Sequence, residues 1–252
     1  MTGAGGRLGA AMAVDLADLG YDVAVHYAES REGAQTTVEA IEERGGRGVV
    51  LEADLLDLDA CEALVGRATK ALGGPLNVLV NNASIFEHDA IETATRETWD
   101  RHMGSNLRAP LILTQAFARQ VPAALSDGEP LAASCIINMI DQRVRKLTPE
   151  FMTYTLAKAG LWTLTQTTAQ ALAPAVRVNA IGPGPTLKGA RQSPEHFAAQ
   201  RRATVLGRGA DVDDILSAMR YILEAKSLTG QLLCTDGGQH LGWRTPDVLG
   251  TE

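Results

Sequence analysis

Short apolar runs alternate along this chain with longer amphipathic segments, and this alternation constrains the fold more than any other feature. The apolar runs lie at 23–25, 48–51, 76–80, 135–137, 176–178 and 231–234, and candidate helices lie at 8–19, 31–44, 59–72, 96–121, 153–172 and 211–225. Short buried strands separated by helices are typical of βαβ units with a parallel sheet covered on both faces. The 252 residues contain no linker-like run and no internal repeat. The pattern therefore predicts one α/β domain, residues 1–252, with a doubly wound Rossmann-type sheet.

The chain begins on a glycine-rich turn, without an apolar strand ahead of it. The run from Thr2 to Gly9, TGAGGRLG, leads directly into the first candidate helix. Glycines permit positive φ and close backbone approach, and the helix N-terminus offers free N–H groups to a pyrophosphate. In a doubly wound sheet the strand that feeds such a turn is central. We expect either that an upstream first strand is missing or truncated here or that another element fills its place, and we favour the first.

Composition excludes several classes of function. The chain is 45% apolar and 21% charged, as in ordinary globular domains, and its net charge of −7 argues against nucleic acid or an anionic membrane as the main partner. Its three cysteines form no CxxC pair, which excludes a disulfide scaffold and favours a reducing, cytoplasmic compartment. No apolar run reaches the ~18–20 residues of a membrane span. The five histidines lack ligand spacing, so no metal site is predicted, and no GxSxG motif supports a hydrolase.

The strongest chemical signal is a tyrosine and a lysine one helical turn apart. Tyr154 and Lys158 stand at i and i+4 and share a helix face. A nearby ammonium favours phenolate over phenol, so we expect the pKa of Tyr154 to be lowered toward working pH. Such a tyrosine can deliver a proton to a substrate that receives a hydride.

These residues, in this order, resemble the short-chain dehydrogenase/reductase family. The matching motifs are the glycine turn, Asn81-Asn82-Ala83 after a buried run, Asn106, and the Tyr154–Lys158 pair, and the resemblance extends from Thr2 to Gly238. It implies a nicotinamide-dependent oxidoreductase, usually a homotetramer, that needs no metal. It also implies that Lys158 lowers the tyrosine pKa and holds the cofactor ribose, and that Asn106 positions a water or Lys158.

Four departures from the usual family pattern are similar to its pteridine reductase and dihydromonapterin reductase branch. Arg7 replaces a glycine of the turn, Ser84 replaces the glycine after Asn-Asn-Ala, and Phe86 stands where that branch stacks an aromatic ring on the pterin. Asp141, thirteen residues before Tyr154, replaces the family's serine. A serine hydroxyl suits a ketone, whereas an acid beside a phenol can relay the proton that a C=N nitrogen requires. The substrate-binding residues implied are Arg7, Phe86, Asp141 and Tyr154.

The choice of cofactor follows from the residues after the apolar run at 23–25. Tyr27 stands where NAD-dependent members carry an acid, while Ser30, Arg31 and Arg7 can supply donors to a 2′-phosphate. Glu29 is the counter-argument, because its carboxylate could bind ribose hydroxyls instead. NADPH is the predicted cofactor. The resemblance implies that the cofactor is bound by Gly3, Arg7, Leu8, Gly9, Tyr27, Ser30, Arg31, Asp54, Leu55, Asn82, Ala83, Ser84, Lys158, Pro183, Gly184 and Thr186.

A long connection follows the strand around residues 176–178. Asn179, placed after that strand, begins a segment similar to the family's NxxxPG loop at the nicotinamide carboxamide, and residues 182–206 are the predicted substrate flap. Thr229-Gly230-Gln231 and Asp236-Gly237-Gly238 resemble a structural signal that borders the tetramer interface. Chemistry explains nothing in the tail 239–252, which could cover a neighbouring subunit's site.

Three functions remain open on this reading. The first is NADPH-dependent reduction of a dihydropterin such as dihydrobiopterin, dihydromonapterin or dihydrofolate. The second is an ordinary carbonyl reductase acting on a 3-oxoacyl group, a sugar or another ketone; Asp141 opposes it, because a carboxylate disfavours a developing oxyanion. The third is a catalytically idle NADP-binding sensor, which the intact Tyr154–Lys158 pair argues against.

Overall fold

A parallel sheet with helices on both faces forms the centre of the structure. The computed structural model describes residues 1–189 and 192–243. Its strands are β1 Val23–Tyr27, β2 Gly48–Glu52, β3 Val78–Asn81, β4 Leu125–Ser126, β5 Pro130–Leu131, β6 Ser134–Met139, β7 Val176–Pro183 and β8 Leu232–Thr235. Its α-helices are α1 Arg7–Asp18, α2 Arg31–Glu42, α3 Leu58–Leu72, α4 Arg96–Met103, α5 Ala109–Ala118, α6 Met152–Ala171, α7 Pro194–Arg202 and α8 Val212–Glu224. The predicted α/β class is confirmed.

Two apolar layers explain why the strands read as continuous apolar runs. Val23 and Val25 of β1 belong to one buried cluster, which includes residues of α1, α2 and α8, whereas Ala24 belongs to another with residues of α3 and α5. The same alternation occurs in β6, where Ile137 and Ile136 enter different clusters. Because successive strand residues point to opposite faces, a sheet covered on both sides needs apolar residues at every position.

The sheet is divided where the turn-feeding strand would lie. Among the described residues β1 pairs with β2 alone, and the order β3-β6-β7-β8 forms a separate sheet, with parallel pairing throughout both. The first residues of the chain lie between β1 and β3: the N–H of Ala4 donates to the carbonyl of His26 at 2.9 Å, and that of Thr2 to the carbonyl of Val80 at 3.0 Å. No other described strand lies in this place, and the expectation of a missing or truncated upstream strand stays a prediction.

The segment predicted as one helix over 96–121 is interrupted. α4 ends at Met103, a π-helical turn spans Gly104–Arg108, and α5 begins at Ala109. A π turn inserts an extra residue into the helix and often marks a functional position. Here it contains Asn106, which is fully buried.

Candidate active site

The glycine turn is packed so closely that side chains are excluded. Gly3 has a φ of 59°, and a Cβ there would lie 2.8 Å from the Cα of Ala83. A Cβ on Gly9 would lie 2.1 Å from the carbonyl oxygen of Gly3 and 2.7 Å from the side-chain nitrogen of Asn82. These glycines let the start of α1 approach the segment after β3, where the predicted cofactor residues Asn82 and Ala83 lie.

Polar side chains lock this turn in place. The Asn82 amide donates to the carbonyls of Thr2 and Gly3 at 3.0 and 2.9 Å. The hydroxyl of Thr2 accepts from the backbone N–H of both Asn82 and Ala83 at 3.0 Å. Behind the turn, buried Asn81 donates to the side-chain oxygen of Asn138 at 2.8 Å, which ties β3 to β6. Thr2 was not among the predicted site residues, although its place at the head of the motif was a signal.

His26 is a second structural support of the turn. Its Nδ1 accepts from the N–H of Gly3 at 3.1 Å, so its Nε2 is the nitrogen that donates to the carbonyl of Ala53, at 2.9 Å. Burial lowers the pKa of His26 to about 4, so the ring is neutral near pH 7. Its role is therefore structural, because its two bonds fix the glycine turn against the ends of β1 and β2.

The residues predicted to select the cofactor lie around the carboxyl ends of β1 and β2. Tyr27 is buried and donates from its hydroxyl to the carboxylate of Glu52 at 2.8 Å. This bond raises the pKa of Tyr27, while the charge of nearby Arg31 lowers it. Ser30 is the N-cap residue of α2 and has no side-chain cap bond. The Ser30 hydroxyl and the Arg31 guanidinium therefore stand at a helix N-terminus, where anions are favoured.

Asp54 and Leu55 differ in exposure. Leu55 is 6% exposed and belongs to the core. Asp54 is exposed, and its carboxylate accepts from the N–H of Leu56 at 2.9 Å, which is the local turn expected of an aspartate in this position. Contact of these two residues with a cofactor stays a prediction.

Arg7 connects the glycine turn to the loop that follows β7. It adopts a positive φ of 50°, and its guanidinium donates to the carbonyls of Leu187 and Lys188 at 3.3 Å each. The adjacent Leu8 is partly buried and packs on the core. The guanidinium of Arg7 is thus held between the glycine turn and the loop after β7, and its contact with phosphate or substrate stays a prediction.

Tyr154 and Asp141, which we call the acid pair, lie within hydrogen-bonding distance of each other, as predicted. The Tyr154 hydroxyl donates to the carboxylate of Asp141 at 3.1 Å, with Tyr154 on α6 and Asp141 just beyond the end of β6. The other carboxylate oxygen of Asp141 accepts from the N–H of Arg143 at 2.8 Å. The carboxyl group is thereby oriented with one oxygen on the backbone and the other on the phenol.

The expectation that the pKa of Tyr154 is lowered is wrong in this structure. Burial is the largest cause and raises the pKa of Tyr154 well above 10, and the charge of Asp141 raises it further. Arg143 and the Ser84 hydroxyl act in the lowering direction, but more weakly. Burial also raises the pKa of Asp141, against the lowering effects of Arg143, Tyr154 and Lys158. The pair therefore keeps its protons to a higher pH than free side chains would.

Lys158 is buried close to the tyrosine but is not bonded to it. Its ammonium lies 5.7 Å from the Tyr154 ring centroid and donates to the carbonyl of Met139 at 2.8 Å. Burial lowers the pKa of Lys158 to about 8, opposed by the charge of Asp141. Desolvation of the phenol affects the pKa of Tyr154 more than the Lys158 ammonium does, because that ammonium is directed at the Met139 carbonyl. Lys158 therefore does not set the pKa of Tyr154 in this structure.

Asn106 supports the segment after β3. Its side-chain oxygen accepts from the N–H of Ile85 and its amide donates to the carbonyl of Ile85, both at 2.8 Å. The Ser84 hydroxyl lies beside this segment and bonds to the Ile85 carbonyl at 3.4 Å. The structure therefore gives Asn106 a positioning role at Ile85 and not the expected contact with Lys158; its action through a water stays a prediction.

Three aromatic rings meet at the acid pair. Phe86 stacks on Phe151 with ring centroids 4.3 Å apart and an interplanar angle of 8°. It also meets the Tyr154 ring edge-on at 4.7 Å. The Arg143 guanidinium covers Phe151 at 5.2 Å from its centroid, and its Nε is buried without a partner among the described residues. Sequence reasoning missed Phe151 and Arg143; the proximity of both to predicted site residues along the chain was the available signal.

The loop after β7 differs in detail from the prediction. β7 extends to Pro183, so Asn179 lies inside the strand and not after it, and its side chain bonds to the backbone of Leu228 and Gln231 at 2.7 and 3.0 Å. Gly184 donates to the Thr235 carbonyl at 3.0 Å, and the Thr186 hydroxyl donates to the carbonyl of Gly184 at 3.2 Å.

The predicted flap, residues 182–206, contains the end of β7 and all of α7. Residues 190 and 191 of the flap and residues 244–252 of the tail lie outside the described part of the chain. Motion of the flap, contacts of Pro183, Gly184 and Thr186 with a cofactor, and the role of the tail stay predictions.

Two features of residues 1–189 and 192–243 bear on other classes of function. No helix in these ranges is both long and apolar enough to span a bilayer. No cluster of three or more histidine, cysteine, aspartate or glutamate side chains there could hold a metal ion.

Comparison with known proteins agrees with this geometry. The family model described as enoyl-(acyl carrier protein) reductase matches residues 3–240. A solved structure described as FolM alternative dihydrofolate reductase 1 from Brucella suis in complex with NADP is 41% identical, with a TM-score of 0.90, and the match covers 98% of this chain and 96% of that one.

Two curated relatives match over similar lengths. An uncharacterized oxidoreductase of Methylorubrum extorquens is 32% identical over 246 residues, covering 94% of this chain and 95% of the relative. D-erythrulose reductase of Gallus gallus is 34% identical over 245 residues, covering 94% and 93%. With the glycine turn, Asn106 and the Tyr154–Lys158 pair in one site, these matches make the chain a member of the short-chain dehydrogenase/reductase family of oxidoreductases.

Proposed function

We propose that this protein is an NADPH-dependent reductase of a pterin, acting on the C=N bond of a dihydropterin or dihydrofolate. The observation that carries the proposal is the 3.1 Å hydrogen bond from the Tyr154 hydroxyl to the Asp141 carboxylate. A solved relative described as an alternative dihydrofolate reductase, 41% identical over nearly the whole chain, supports the same substrate class.

The residues around the glycine turn fit a dinucleotide phosphate. The turn leaves no room for a Cβ at Gly9 and leads into the N-terminus of α1, whose first backbone N–H groups are available to phosphate oxygens. Arg7, Ser30 and Arg31 add two cations and a hydroxyl along the same edge, which suits a 2′-phosphate better than a bare ribose. When bound, NADPH supplies the hydride.

The acid pair suits protonation of a nitrogen. Reduction of C=N adds a hydride to carbon and a proton to nitrogen, so the site needs a group that still holds a proton at working pH. The raised pKa of Tyr154 keeps the phenol protonated, and the raised pKa of Asp141 lets the carboxyl share or replace that proton. In the proposed mechanism Tyr154 donates a proton to the nitrogen, protonated Asp141 returns a proton to Tyr154, and solvent reprotonates Asp141, so each turnover consumes one hydride and one proton.

The aromatic rings and the half-buried Arg143 guanidinium suit a flat, polar heterocycle. Phe86 is 44% exposed and lies edge-on to Tyr154, so a planar ring can stack on it beside the acid. The Nε of Arg143 has no hydrogen-bond partner among the described residues and lies beside Phe151, and we assign it as a donor to a heterocycle carbonyl or nitrogen.

A carbonyl reductase is the second candidate. The observation that favours it is the similarity to D-erythrulose reductase. The charged form of Asp141 would oppose an oxyanion, so ketone reduction through this site requires Asp141 to be protonated.

Turnover of substrates from two chemical classes, pterins and thioesters, tests the proposal. NADPH oxidation is followed with dihydrobiopterin, dihydrofolate and an acetoacetyl thioester for the unmodified protein, Asp141→Ser, and the exposed control Asp127→Ser. We expect pterin turnover by the unmodified protein and the control, and a selective loss of it in Asp141→Ser. Thioester turnover without pterin turnover would establish the second candidate, and cofactor binding without turnover of either would indicate an idle sensor.

We also propose that the protein is a homotetramer and that it works in the cytoplasm. It is inferred from family resemblance and from the free thiols of Cys61, Cys135 and Cys234. Light scattering of the purified protein measures the assembly, and a monomeric mass at micromolar concentration contradicts it.

A further inference from the structure

The segment 84–89, which follows β3, alternates in exposure from one residue to the next. Its even-numbered side chains are exposed, and its odd-numbered ones are half-buried or buried. Side chains of an extended chain point alternately to opposite faces, so this segment has an inner and an outer face. We call the three exposed side chains of the outer face the wall: Ser84, Phe86 and His88.

Two residues of the inner face are fixed by side chains that stand four positions apart. Asn106 bonds to both backbone groups of Ile85 at 2.8 Å. His102, in α4, accepts at its Nε2 from the backbone N–H of Glu87 at 3.1 Å. One helical stretch therefore holds two alternate residues of the segment.

Asp89, the third residue of the inner face, is fixed to the start of α6. Its carbonyl accepts from the N–H of Phe151 at 2.7 Å. Its carboxylate accepts from the backbone N–H of Thr153 at 3.2 Å and, through its other oxygen, from the Thr153 hydroxyl. Phe151 has a positive φ of 57°, a conformation that a bulky residue keeps only where its surroundings hold it. Asp89 thus fixes both the wall and the ring on which Phe86 stacks.

The two anchors are joined by one continuous chain of hydrogen bonds. Because the Nε2 of His102 accepts, the neutral ring carries its hydrogen on Nδ1, which donates to the Thr153 hydroxyl at 2.6 Å. That hydroxyl donates in turn to Asp89. Burial lowers the pKa of His102, against the raising effect of the charges of Asp89 and Glu87, which favours the neutral ring. We call His102, Thr153 and Asp89, each at most 3% exposed, the positioning chain.

The wall meets the site through aromatic contacts. Phe86 stacks on Phe151 and lies edge-on to Tyr154 at 4.7 Å. His88 lies edge-on to Phe151 with ring centroids 5.0 Å apart, and its ring pairs with the carboxylate of Glu150. The distance of the Phe86 ring from the acid pair therefore depends on where the segment 84–89 and the start of α6 are held.

We propose that the positioning chain determines the affinity of the site for a planar substrate ring, although its three side chains are buried and act only through the wall. The substrate part of this inference rests on the function proposed above. Losing one link leaves buried polar groups without partners, and the segment relaxes to satisfy them. Phe86 then leaves its place beside Tyr154, and a ring stacked on it loses contact with the acid.

Removal of the central hydroxyl tests the proposal. Thr153→Val keeps the branched shape but leaves the His102 N–H and one oxygen of Asp89 without their partner, whereas Thr153→Ser keeps the hydroxyl. The matched control is Thr165→Val, because Thr165 is also buried on α6 and its hydroxyl accepts from the amide of Asn138 in β6 at 2.9 Å. The measurements are the Kd of biopterin for the NADP-saturated protein, by fluorescence quenching, and KM and kcat for dihydrobiopterin with NADPH.

We expect Thr153→Val to raise the Kd of biopterin and the KM of dihydrobiopterin ~10-fold, which is the value of a lost ring contact. The kcat should stay unchanged, since the bond between Tyr154 and Asp141 lies outside the positioning chain. Thr153→Ser and Thr165→Val should leave all three constants unchanged. Equal constants for Thr153→Val and Thr153→Ser, the same increase in Thr165→Val, or a lower kcat at constant KM would each overturn the proposal.

The hydrogen on His102 provides a second test that needs no substrate. The bonds of His102 require the hydrogen on Nδ1, whereas those of His26, which is also buried, require it on Nε2. We expect the histidine nitrogen shifts in NMR spectra at neutral pH to show these two opposite forms, with His102 assigned by its loss in His102→Gln. A hydrogen on Nε2 of His102, or a charged ring, would overturn the positioning chain. Failure of the unmodified protein to bind biopterin would instead overturn the proposed function, so the two failures are distinguishable.

Discussion

Replacing Lys158 with methionine is expected to change how the stability of the cofactor-free protein depends on pH. Lys158 is 2% exposed, and burial lowers its pKa from 10.5 to about 8. Since the folded pKa lies below the unfolded one, burying the ammonium costs most below pH 8, and the cost disappears as pH rises toward 10.5. At ~1.4 kcal/mol for each pKa unit, the full change is ~3 kcal/mol. Methionine fills the same space without a charge and carries no such pH dependence.

The measurement is urea unfolding at pH values from 7 to 10.5. The free energy of unfolding of the unmodified protein, minus that of Lys158→Met, should rise by ~3 kcal/mol between pH 8 and 10.5 and stay level below pH 8. Lys70, exposed at the end of α3, provides the control substitution Lys70→Met, for which the difference should stay level throughout. A level difference for Lys158→Met as well would show that the buried lysine titrates normally and would refute the desolvation argument.

Three further substitutions test other parts of the site. Tyr154→Phe should lower kcat ~10²–10⁴-fold with little change in the Kd for NADPH, because only the proton donor is removed; an unchanged kcat in stopped-flow assays would exclude the acid role. Gly9→Ala should destabilise the protein by ~3 kcal/mol or more in urea unfolding, since its Cβ would lie 2.1 Å from the Gly3 carbonyl, whereas Gly66→Ala inside α3, with nothing within 4 Å of its Cβ, should stabilise it by ~0.5–1 kcal/mol. Arg7→Ala should weaken NADPH binding more than NADH binding in fluorescence titrations, and an equal loss for both would exclude a phosphate contact.

The alternation of apolar runs and amphipathic segments was sufficient to predict the class of fold. Buried parallel strands must be apolar at every position, and helices must be apolar on one face, so both leave a local pattern in the sequence. The two-residue strands β4 and β5 were missed because so short a pairing leaves no periodicity. The π turn at Gly104–Arg108 was missed for a related reason: the apolar spacing around it still fits one long helix.

The sequence by itself also identified the residues that we propose to carry the chemistry, since Tyr154, Lys158 and Asp141 stand in a recognisable order. Only the tertiary structure decided how they act. Whether an ammonium lowers the pKa of a phenol depends on distance and desolvation, and folding directs Lys158 to the Met139 carbonyl while it buries Tyr154 against Asp141. The same holds for Phe151 and Arg143, whose place beside Phe86 depends on contacts between distant elements. Residue types set the available reactions, whereas burial and geometry set the charge state in which each group works.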